Sequence, residues 1–218
     1  MLDTERIALR VLAETALSLG YPWRDEIGLA MVGLNSRDAD AIVERHFGPQ
    51  YPPGPLRDAF SRRYMMTIES EPVPVKPGLL ELLDWLEEGG IPCAVATSTR
   101  RERALLKLDR AGVRKRFAVI IGGDEIAHGK PAPDIYIAAA TGLGMAPQRC
   151  LALEDSAPGV RSALAAGMAV IMVPDMLPPS LDIVSLGHPI LPTLNHVLRL
   201  LRDGGTVATH NSMNARYV

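Results

Sequence analysis

Hydrophobic positions divide the chain into two parts with different patterns. From residue 91 onward, short runs of consecutive apolar residues alternate with segments of helical periodicity; the runs are "IPCAVATS", "RFAVIIGG", "RCLALED" and "MAVIMVP". Because these runs are almost continuously apolar, they are typical of strands in a parallel sheet that helices cover on both faces. Glycines stand where the intervening helices should end, at Gly112, Gly144 and Gly167. The pattern predicts a doubly wound α/β core.

The N-terminal third of the chain shows helical periodicity without strand signals. In "TERIALRVLAETALSLG" the apolar residues define one helical face, at Ile7, Leu9, Val11, Leu12, Ala16, Leu17 and Leu19. The proline-rich "ESEPVPVKPG" then indicates a connector to the next helix. We therefore predict an inserted helical cap domain at residues 3–75, an α/β core at 76–202 and a disordered tail at 203–218.

Composition narrows the classes of function. The net charge of -2 over 218 residues argues against nucleic acid as a partner, since binding to phosphate backbones depends on basic patches. The apolar runs are too short to span a membrane, and no signal peptide opens the sequence. Cys93 and Cys150 each enter a strand-like run, which favours small buried hydrophobic residues over a disulfide or a metal site. We expect a cytoplasmic monomer that binds no membrane.

Polar residues follow the predicted strands at their carboxyl ends, where open α/β sheets bind ligands. The first strand ends in the hydroxyls of Thr97, Ser98 and Thr99. These side chains could hold an anion, or they could cap the following helix, as serine and threonine often do.

A lysine and two carboxylates follow the next two predicted strands. Lys130 stands between a glycine and a proline in "HGKPAP", and Glu154 and Asp155 are adjacent in "LALEDSAPG". The simplest alternatives are a solvated lysine and an aspartate that caps the next helix. Two adjacent carboxylates are costly to pack without a cation, and Mg²⁺ prefers oxygen ligands of this kind.

Taken together, the three strand ends favour a phosphate site with a divalent cation. Hydroxyl and amide groups would bind phosphate oxygens, Lys130 would offset their charge, and Glu154 and Asp155 would hold the metal. The site is not a P-loop, because the lysine segment lacks the leading glycine at the required spacing and the following serine or threonine.

The blocks "VATST", "GDEIAHGKPAPDIY" and "LALEDSAPGVRSALAAGM" resemble, in order and spacing, three motifs of the haloacid dehalogenase superfamily. The branch they resemble most contains phosphatases and β-phosphoglucomutase-like enzymes with a helical cap. The resemblance implies a Rossmann-like core in which Thr97 and Ser98 bind the transferred phosphoryl group. It also implies that Lys130 stabilises this group as a catalytic residue, together with Thr97, and that Glu154 and Asp155 bind Mg²⁺.

One family motif has no counterpart in the sequence. Members begin with a strand that ends in Asp-x-Asp-Gly, whose first aspartate is the nucleophile, and "MLDTER" matches the stretch just after it. We therefore expect the nucleophile to lie upstream of Met1. We also expect the central strand of the sheet to be missing between the strands ending at Thr97 and Asp155. This would leave them about 10 Å apart, unless another segment fills the gap or the two strands close together.

Three functions fit these residues. The first is a Mg²⁺-dependent phosphatase that acts on a small phosphorylated metabolite, such as a sugar phosphate, through an aspartyl-phosphate intermediate. The second is a phosphosugar mutase, and the third is a non-catalytic phosphate-binding relic.

Three further residues have predicted roles. Arg37 in the cap is a candidate for binding a substrate phosphate, although an arginine facing water at the start of a helix is an alternative. His46 and His128 are expected to be structural. If an extended chain is active, replacing Lys130 by alanine is expected to lower turnover by orders of magnitude with little loss of fold.

Overall fold

The structure is a computed structural model, and it describes residues 1–32, 34, 36–204, 207–208 and 214–215. The chain divides into two compact units. The helical unit comprises Leu2–Pro74, and the α/β unit comprises Met1 and Val75–Val218. The prediction placed this boundary between residues 75 and 76. No helix in the described part of the chain combines the length and the apolar character needed to cross a bilayer.

The helical unit contains four helices: α1 (Thr4–Ser18), α2 (Asp25–Met31), α3 (Ser36–Phe47) and α4 (Pro53–Ser70). The buried side of α1 carries Ile7, Val11, Leu12 and Ala16, at the i, i+4 spacing of one helical face. Leu17 and Leu19 were assigned to the same face, but they are 61% and 43% exposed. Leu17 lies in the last turn of α1, on the side away from the buried residues, and Leu19 lies beyond the end of the helix.

The α/β unit contains the remaining elements. Its helices are α5 (Leu79–Glu88), α6 (Arg101–Arg110), α7 (Asp134–Gly142), α8 (Ala157–Ala165), α9 (Leu181–Val184) and α10 (Leu194–Arg202). Its strands are β1 (Ala94–Ala96), β2 (Val119–Ile121), β3 (Leu151–Glu154), β4 (Ala169–Met172), β5 (Val207–Ala208) and β6 (Asn214–Ala215). The four apolar runs thus supply β1 to β4, and the three predicted helix-ending glycines all have a positive φ.

The strands pair in parallel, as the continuous apolar runs predicted. β1 pairs with β2, with Val95 opposite Ile120, and β3 pairs with β4, with Leu153 opposite Ile171. β4 is buried along its whole length, as expected of a strand that is covered on both faces. This arrangement confirms the doubly wound α/β class for the core.

Strands β1 and β3 belong to separate two-stranded sheets over the residues that the structure describes. If the central strand were missing, β1 and β3 would not pair with each other, and they do not pair here. The absence of a central strand from the protein itself stays a prediction.

The predicted tail begins beyond α10. Within it, β5 and β6 form a short antiparallel pair, in which Val207 lies opposite Ala215. Residues 205–206, 209–213 and 216–218 lie outside the described part of the chain, so disorder over 203–218 stays a prediction for them.

A glycine lets the loop after β2 pass close to the turn after β1. A Cβ atom on Gly123 would lie 2.4 Å from the carbonyl oxygen of Ser98, well inside the contact distance of real atoms. The Gly123 amide donates to the carbonyl of Thr99 at 3.0 Å, and the Asp124 carboxylate accepts from the Arg101 amide at 2.7 Å. These contacts fix the turn that carries the predicted phosphate-binding hydroxyls.

Candidate active site

The ammonium group of Lys130 connects the ends of two strands. Its Nζ donates to the carbonyl oxygen of Ala96 at 3.2 Å and to Oε1 of Glu154 in a short contact. Ala96 ends β1 immediately before Thr97, and Glu154 ends β3 immediately before Asp155. With 10% of its side chain exposed, Lys130 is not a solvated surface lysine. The structure therefore brings the three predicted strand ends together around one cation.

The backbone of the lysine loop is held from two sides. The Ala132 amide donates to the carbonyl of Gly129 at 3.0 Å, which closes a turn around the lysine. The Ala132 carbonyl in turn accepts a hydrogen bond of 2.5 Å from the hydroxyl of Ser162, a fully buried residue of α8. The loop is consequently anchored to the helix that follows the carboxylate pair.

Glu154 is buried and accepts five hydrogen bonds. Its Oε1 accepts from the Lys130 ammonium and, at 2.5 Å, from the hydroxyl of Tyr136. Its Oε2 accepts from the Ser156 hydroxyl at 3.0 Å and from the backbone amides of Asp155 and Ser156 at 3.2 and 3.3 Å. A carboxylate offers about four lone-pair sites, so these donors use the hydrogen-bonding capacity of Glu154 in this arrangement. The structure makes Glu154 the counterion of Lys130, and its predicted role as a Mg²⁺ ligand stays a prediction.

Opposing effects act on the pKa of Glu154. Burial raises the pKa, because a buried carboxylate loses its hydration. The charge of Lys130 lowers the pKa, as do the hydrogen bonds from Lys130, Tyr136 and Ser156. The net pKa lies below the ordinary value for glutamate, so this carboxylate is ionised at neutral pH.

Acid titration should expose the contribution of this ion pair. Because the folded-state pKa of Glu154 is lowered, its contribution to stability is complete above its unfolded pKa of about 4.3. It is lost as the pH falls through the folded value. Between pH 6 and 3, the free energy of unfolding measured by urea titration should fall more steeply for wild type than for Glu154→Gln. Equal slopes would contradict the assigned pairing.

Ser156 caps helix α8. Its hydroxyl oxygen accepts from the Gly159 amide at 3.2 Å, which satisfies a donor of the first helical turn. Asp155 therefore does not serve as the helix cap, the alternative considered from the sequence, and its side chain is available for other contacts.

Gly159 allows the Glu154 carboxylate to lie against the first turn of α8. A Cβ atom at this position would be 2.0 Å from the Glu154 carboxyl carbon. Gly159→Ala must displace the buried ion pair and should lower the free energy of unfolding by about 3 kcal/mol or more. Gly129→Ala is the matched control, since a Cβ atom there meets nothing within 4 Å. Similar urea midpoints for the two variants would contradict the close approach.

Asp155 presents an unpaired carboxylate at the end of β3. The residue is exposed, and among the described residues its side chain has no hydrogen-bond or ion-pair partner. Desolvation by the surrounding protein raises its pKa, and the Glu154 and Asp175 carboxylates raise it further. The Met1 α-amino group and Lys130 act in the opposite direction. A carboxylate whose charge is incompletely balanced is suited to a cation.

The described part of the chain offers few ligands for a metal ion. Within the described ranges, no group of three His, Cys, Asp or Glu side chains is arranged to hold a metal ion. Mg²⁺ in phosphoryl-transfer sites commonly uses one or two carboxylates and completes its shell with water and substrate phosphate. Asp155 fits such a site as one ligand, whereas Glu154 already accepts hydrogen bonds from Lys130, Tyr136 and Ser156.

Thr97 and Ser98 form the turn after β1. The Thr97 amide donates to the carbonyl of Ile121 at 3.1 Å, and its Oγ1 accepts from the Thr99 amide at 3.2 Å. The Thr97 hydroxyl proton is therefore available to donate, and Ser98 is exposed. Neither side chain caps α6, whose N-cap residue is Arg100, without a side-chain hydrogen bond.

The remaining predicted residues lie elsewhere. Arg37 is exposed near the start of α3 in the helical unit, and its predicted contact with a substrate phosphate stays a prediction. His128 contacts the Asp134 carboxylate through Nδ1 at 2.9 Å. His46 contacts the carbonyl of Ile42 at 2.9 Å, so both histidines have local structural partners.

Sequence reasoning missed Tyr136 and Ser162. Both lie in helices of the core, where their apolar neighbours favour an interpretation as packing residues. Tyr136 is six positions after Lys130, a spacing with no meaning until the loop and the start of α7 fold back together. The available signal was a polar side chain on a buried helical face. Buried polar groups require hydrogen-bond partners, so Tyr136 and Ser162 could have been expected to contact other polar groups.

The chain is similar to known proteins of one family. Residues 1–173 match the family described as haloacid dehalogenase-like hydrolase. The chain is 32% identical over 181 residues to Protein CbbY of Rhodobacter capsulatus, covering 79% of this chain and 80% of that protein. It is 29% identical to a phosphorylated carbohydrates phosphatase of Thermotoga maritima, covering 77% of each chain.

A solved structure extends the similarity. CbbY from Rhodobacter sphaeroides in complex with xylulose-1,5-bisphosphate superposes with a TM-score of 0.67 at 28% identity, covering 89% of this chain and 90% of that chain. The match to the family model covers most of the 218 residues and includes Lys130, Glu154 and Asp155. The chain belongs to the haloacid dehalogenase-like hydrolases.

Proposed function

We propose that this protein is a phosphatase that releases phosphate from a small phosphorylated carbohydrate. The observation that carries the proposal is the position of the Lys130 ammonium, which contacts the residues immediately before Thr97 and Asp155. A lysine ammonium has three donors. Two of them meet Ala96 and Glu154, and the third has no hydrogen-bond acceptor in the described part of the chain. This donor is suited to a phosphate oxygen.

The proposed roles follow from the surroundings of each residue. The Thr97 hydroxyl and the exposed Ser98 would donate to the transferred phosphoryl group. Lys130 would stabilise the negative charge that develops on the group in the transition state. Glu154 would hold Lys130 in place, because it is buried and ionised beside the ammonium.

Mg²⁺ is the proposed cofactor, with Asp155 as its ligand from this chain. When bound, the ion would neutralise charge on the phosphoryl oxygens. The helical unit, with Arg37 exposed on α3, is the proposed source of substrate selection. The relatives named for phosphorylated carbohydrates support a sugar phosphate or bisphosphate as the substrate class.

The proposed chemistry requires a nucleophile that attacks phosphorus. Following the family resemblance, we propose an aspartate upstream of Met1. Its carboxylate would bond to phosphorus as the bond from phosphorus to the sugar oxygen breaks, which releases the sugar alcohol, and water would then hydrolyse the aspartyl-phosphate to free phosphate. The "DAD" sequence at 38–40 does not supply it, because these residues lie within α3.

Phosphate release from a panel of compounds tests the function. Pentose and hexose monophosphates, sugar bisphosphates and a nucleotide control would be incubated with Mg²⁺ and either the 218-residue chain or a version extended upstream. We expect the extended version to release phosphate from sugar phosphates. Rearranged phosphosugar without phosphate release would identify a mutase. Inactivity of both versions would overturn the proposal in favour of a non-catalytic protein, and hydrolysis by the shorter chain would refute the upstream nucleophile.

A further inference from the structure

We propose that Tyr136 is a positioning residue that keeps the Lys130 ammonium available to phosphate. The inference rests on the proposed function. It assigns a role to a residue that was not predicted to bind phosphate or metal. Tyr136 is 7% exposed and lies in the first turn of α7, directly after the lysine loop.

Two contacts link Tyr136 to the lysine. Its hydroxyl donates to Oε1 of Glu154 at 2.5 Å, the same oxygen that accepts from Lys130. Its ring faces the ammonium, with 5.1 Å between Nζ and the ring centroid, which is within the range of a cation–π contact. Tyr136, Glu154 and Lys130 thus form a closed set of three contacts, in which the tyrosine touches both members of the ion pair.

The Tyr136 hydroxyl acts on Lys130 through Oε1 of Glu154, the oxygen that accepts hydrogen bonds from both residues. A second donor on Oε1 takes up part of the negative charge of Glu154 and fixes the orientation of its carboxylate. Without the hydroxyl, the carboxylate can rotate and attract the ammonium more strongly. Lys130 would then be drawn away from the open end of the strands, where its third donor would meet phosphate. Ser156 and the two amides hold only the other oxygen, Oε2.

Tyr136→Phe tests the proposal, because it removes the hydroxyl and retains the ring. Tyr21→Phe is the matched control. Tyr21 is 5% exposed, and its hydroxyl donates one hydrogen bond of 2.7 Å to the carbonyl of Pro52 in the helical unit. We expect Tyr136→Phe to raise the dissociation constant for inorganic phosphate, measured by calorimetry on the full chain, roughly tenfold. The control variant should bind phosphate as wild type does.

A double-mutant cycle separates positioning from a general structural effect. In a Lys130→Met background, Tyr136→Phe should change the dissociation constant for phosphate less than about twofold, because the residue acts through the lysine. An equal loss in both backgrounds would overturn the proposal, as would an unchanged dissociation constant in the single variant.

A spectroscopic readout tests the position of Lys130 independently of phosphate binding. The chain has only four lysines, Lys76, Lys107, Lys115 and Lys130, so [ε-¹³C]lysine labelling gives few NMR signals. Lys130→Arg would identify the signal of Lys130. Tyr136→Phe should shift this signal and increase its picosecond-to-nanosecond mobility, whereas Tyr21→Phe should leave it unchanged.

The two readouts distinguish failure of the inference from failure of the proposed function. If wild type does not bind phosphate, the phosphate-binding role proposed for Lys130 in the 218-residue chain is wrong, and the lysine signal still decides whether Tyr136 positions Lys130. If wild type binds phosphate and Tyr136→Phe changes neither readout, the positioning role is wrong. Should the variant fail to fold, wild type should still show a slowly exchanging Tyr136 hydroxyl proton close to the Lys130 ε-methylene. Absence of that contact would overturn the proposal.

Discussion

Lys130→Met should lower turnover by about a hundred- to a thousandfold in any version of this protein that hydrolyses sugar phosphates. The substitution keeps a chain of similar length and removes the charge that would stabilise the transferring phosphoryl group. The loss should appear in kcat, measured by phosphate release at saturating substrate, since the effect is greatest in the transition state. Lys115→Met, on an exposed lysine of the same unit, is the control and should retain wild-type kinetics.

Stability should fall as well, which differs from the expectation formed from the sequence. Lys130 and Glu154 are 10% and 6% exposed, and removal of one member of a buried ion pair typically costs about 3–5 kcal/mol. The double variant Lys130→Met with Glu154→Gln removes both charges and should regain much of that stability without regaining activity. Wild-type kinetics in Lys130→Met would reject the catalytic role, and wild-type stability would reject the buried pair.

The strands and the parallel class of the core could be predicted because short, continuous apolar runs between helices are typical of buried parallel strands. Each run in the sequence became a strand, and the polar residues after three of them converged at one end of the structure. The sequence also identified Lys130 and Asp155 as functional candidates, since strand order alone brings carboxyl ends together.

The different surroundings of Glu154 and Asp155 could not be predicted. In the sequence both are acids after an apolar strand. Their surroundings differ only in three dimensions, where Gly159 leaves room for the Glu154 carboxylate against α8 and Tyr136 approaches it from another helix. Donors that are distant in sequence, such as Lys130 and Tyr136, occupy the lone pairs of Glu154 and not those of Asp155.

Asp155→Asn should change how the unfolding temperature depends on Mg²⁺. The pKa of Asp155 is raised by desolvation and then by its acidic neighbours. A raised folded-state pKa means that this carboxylate costs stability as the pH rises through that value. At pH 7 without metal, the asparagine variant should therefore unfold at a slightly higher temperature than wild type. The difference should be small, because the side chain is exposed and water screens the repulsion.

Mg²⁺ should reverse this order. An ion bound only to the folded protein stabilises it by about 2.7 kcal/mol at a concentration one hundred times its dissociation constant. The unfolding temperature of wild type should rise as Mg²⁺ is added, whereas that of Asp155→Asn should stay nearly constant, because the variant lacks the charged ligand. Asp203→Asn, an exposed aspartate at the end of α10, controls for loss of one negative charge. Parallel Mg²⁺ curves for Asp155→Asn and wild type would show that the ion binds elsewhere. A crossing of the two curves would locate the Mg²⁺ ion at the end of β3, beside the Asp155 carboxylate.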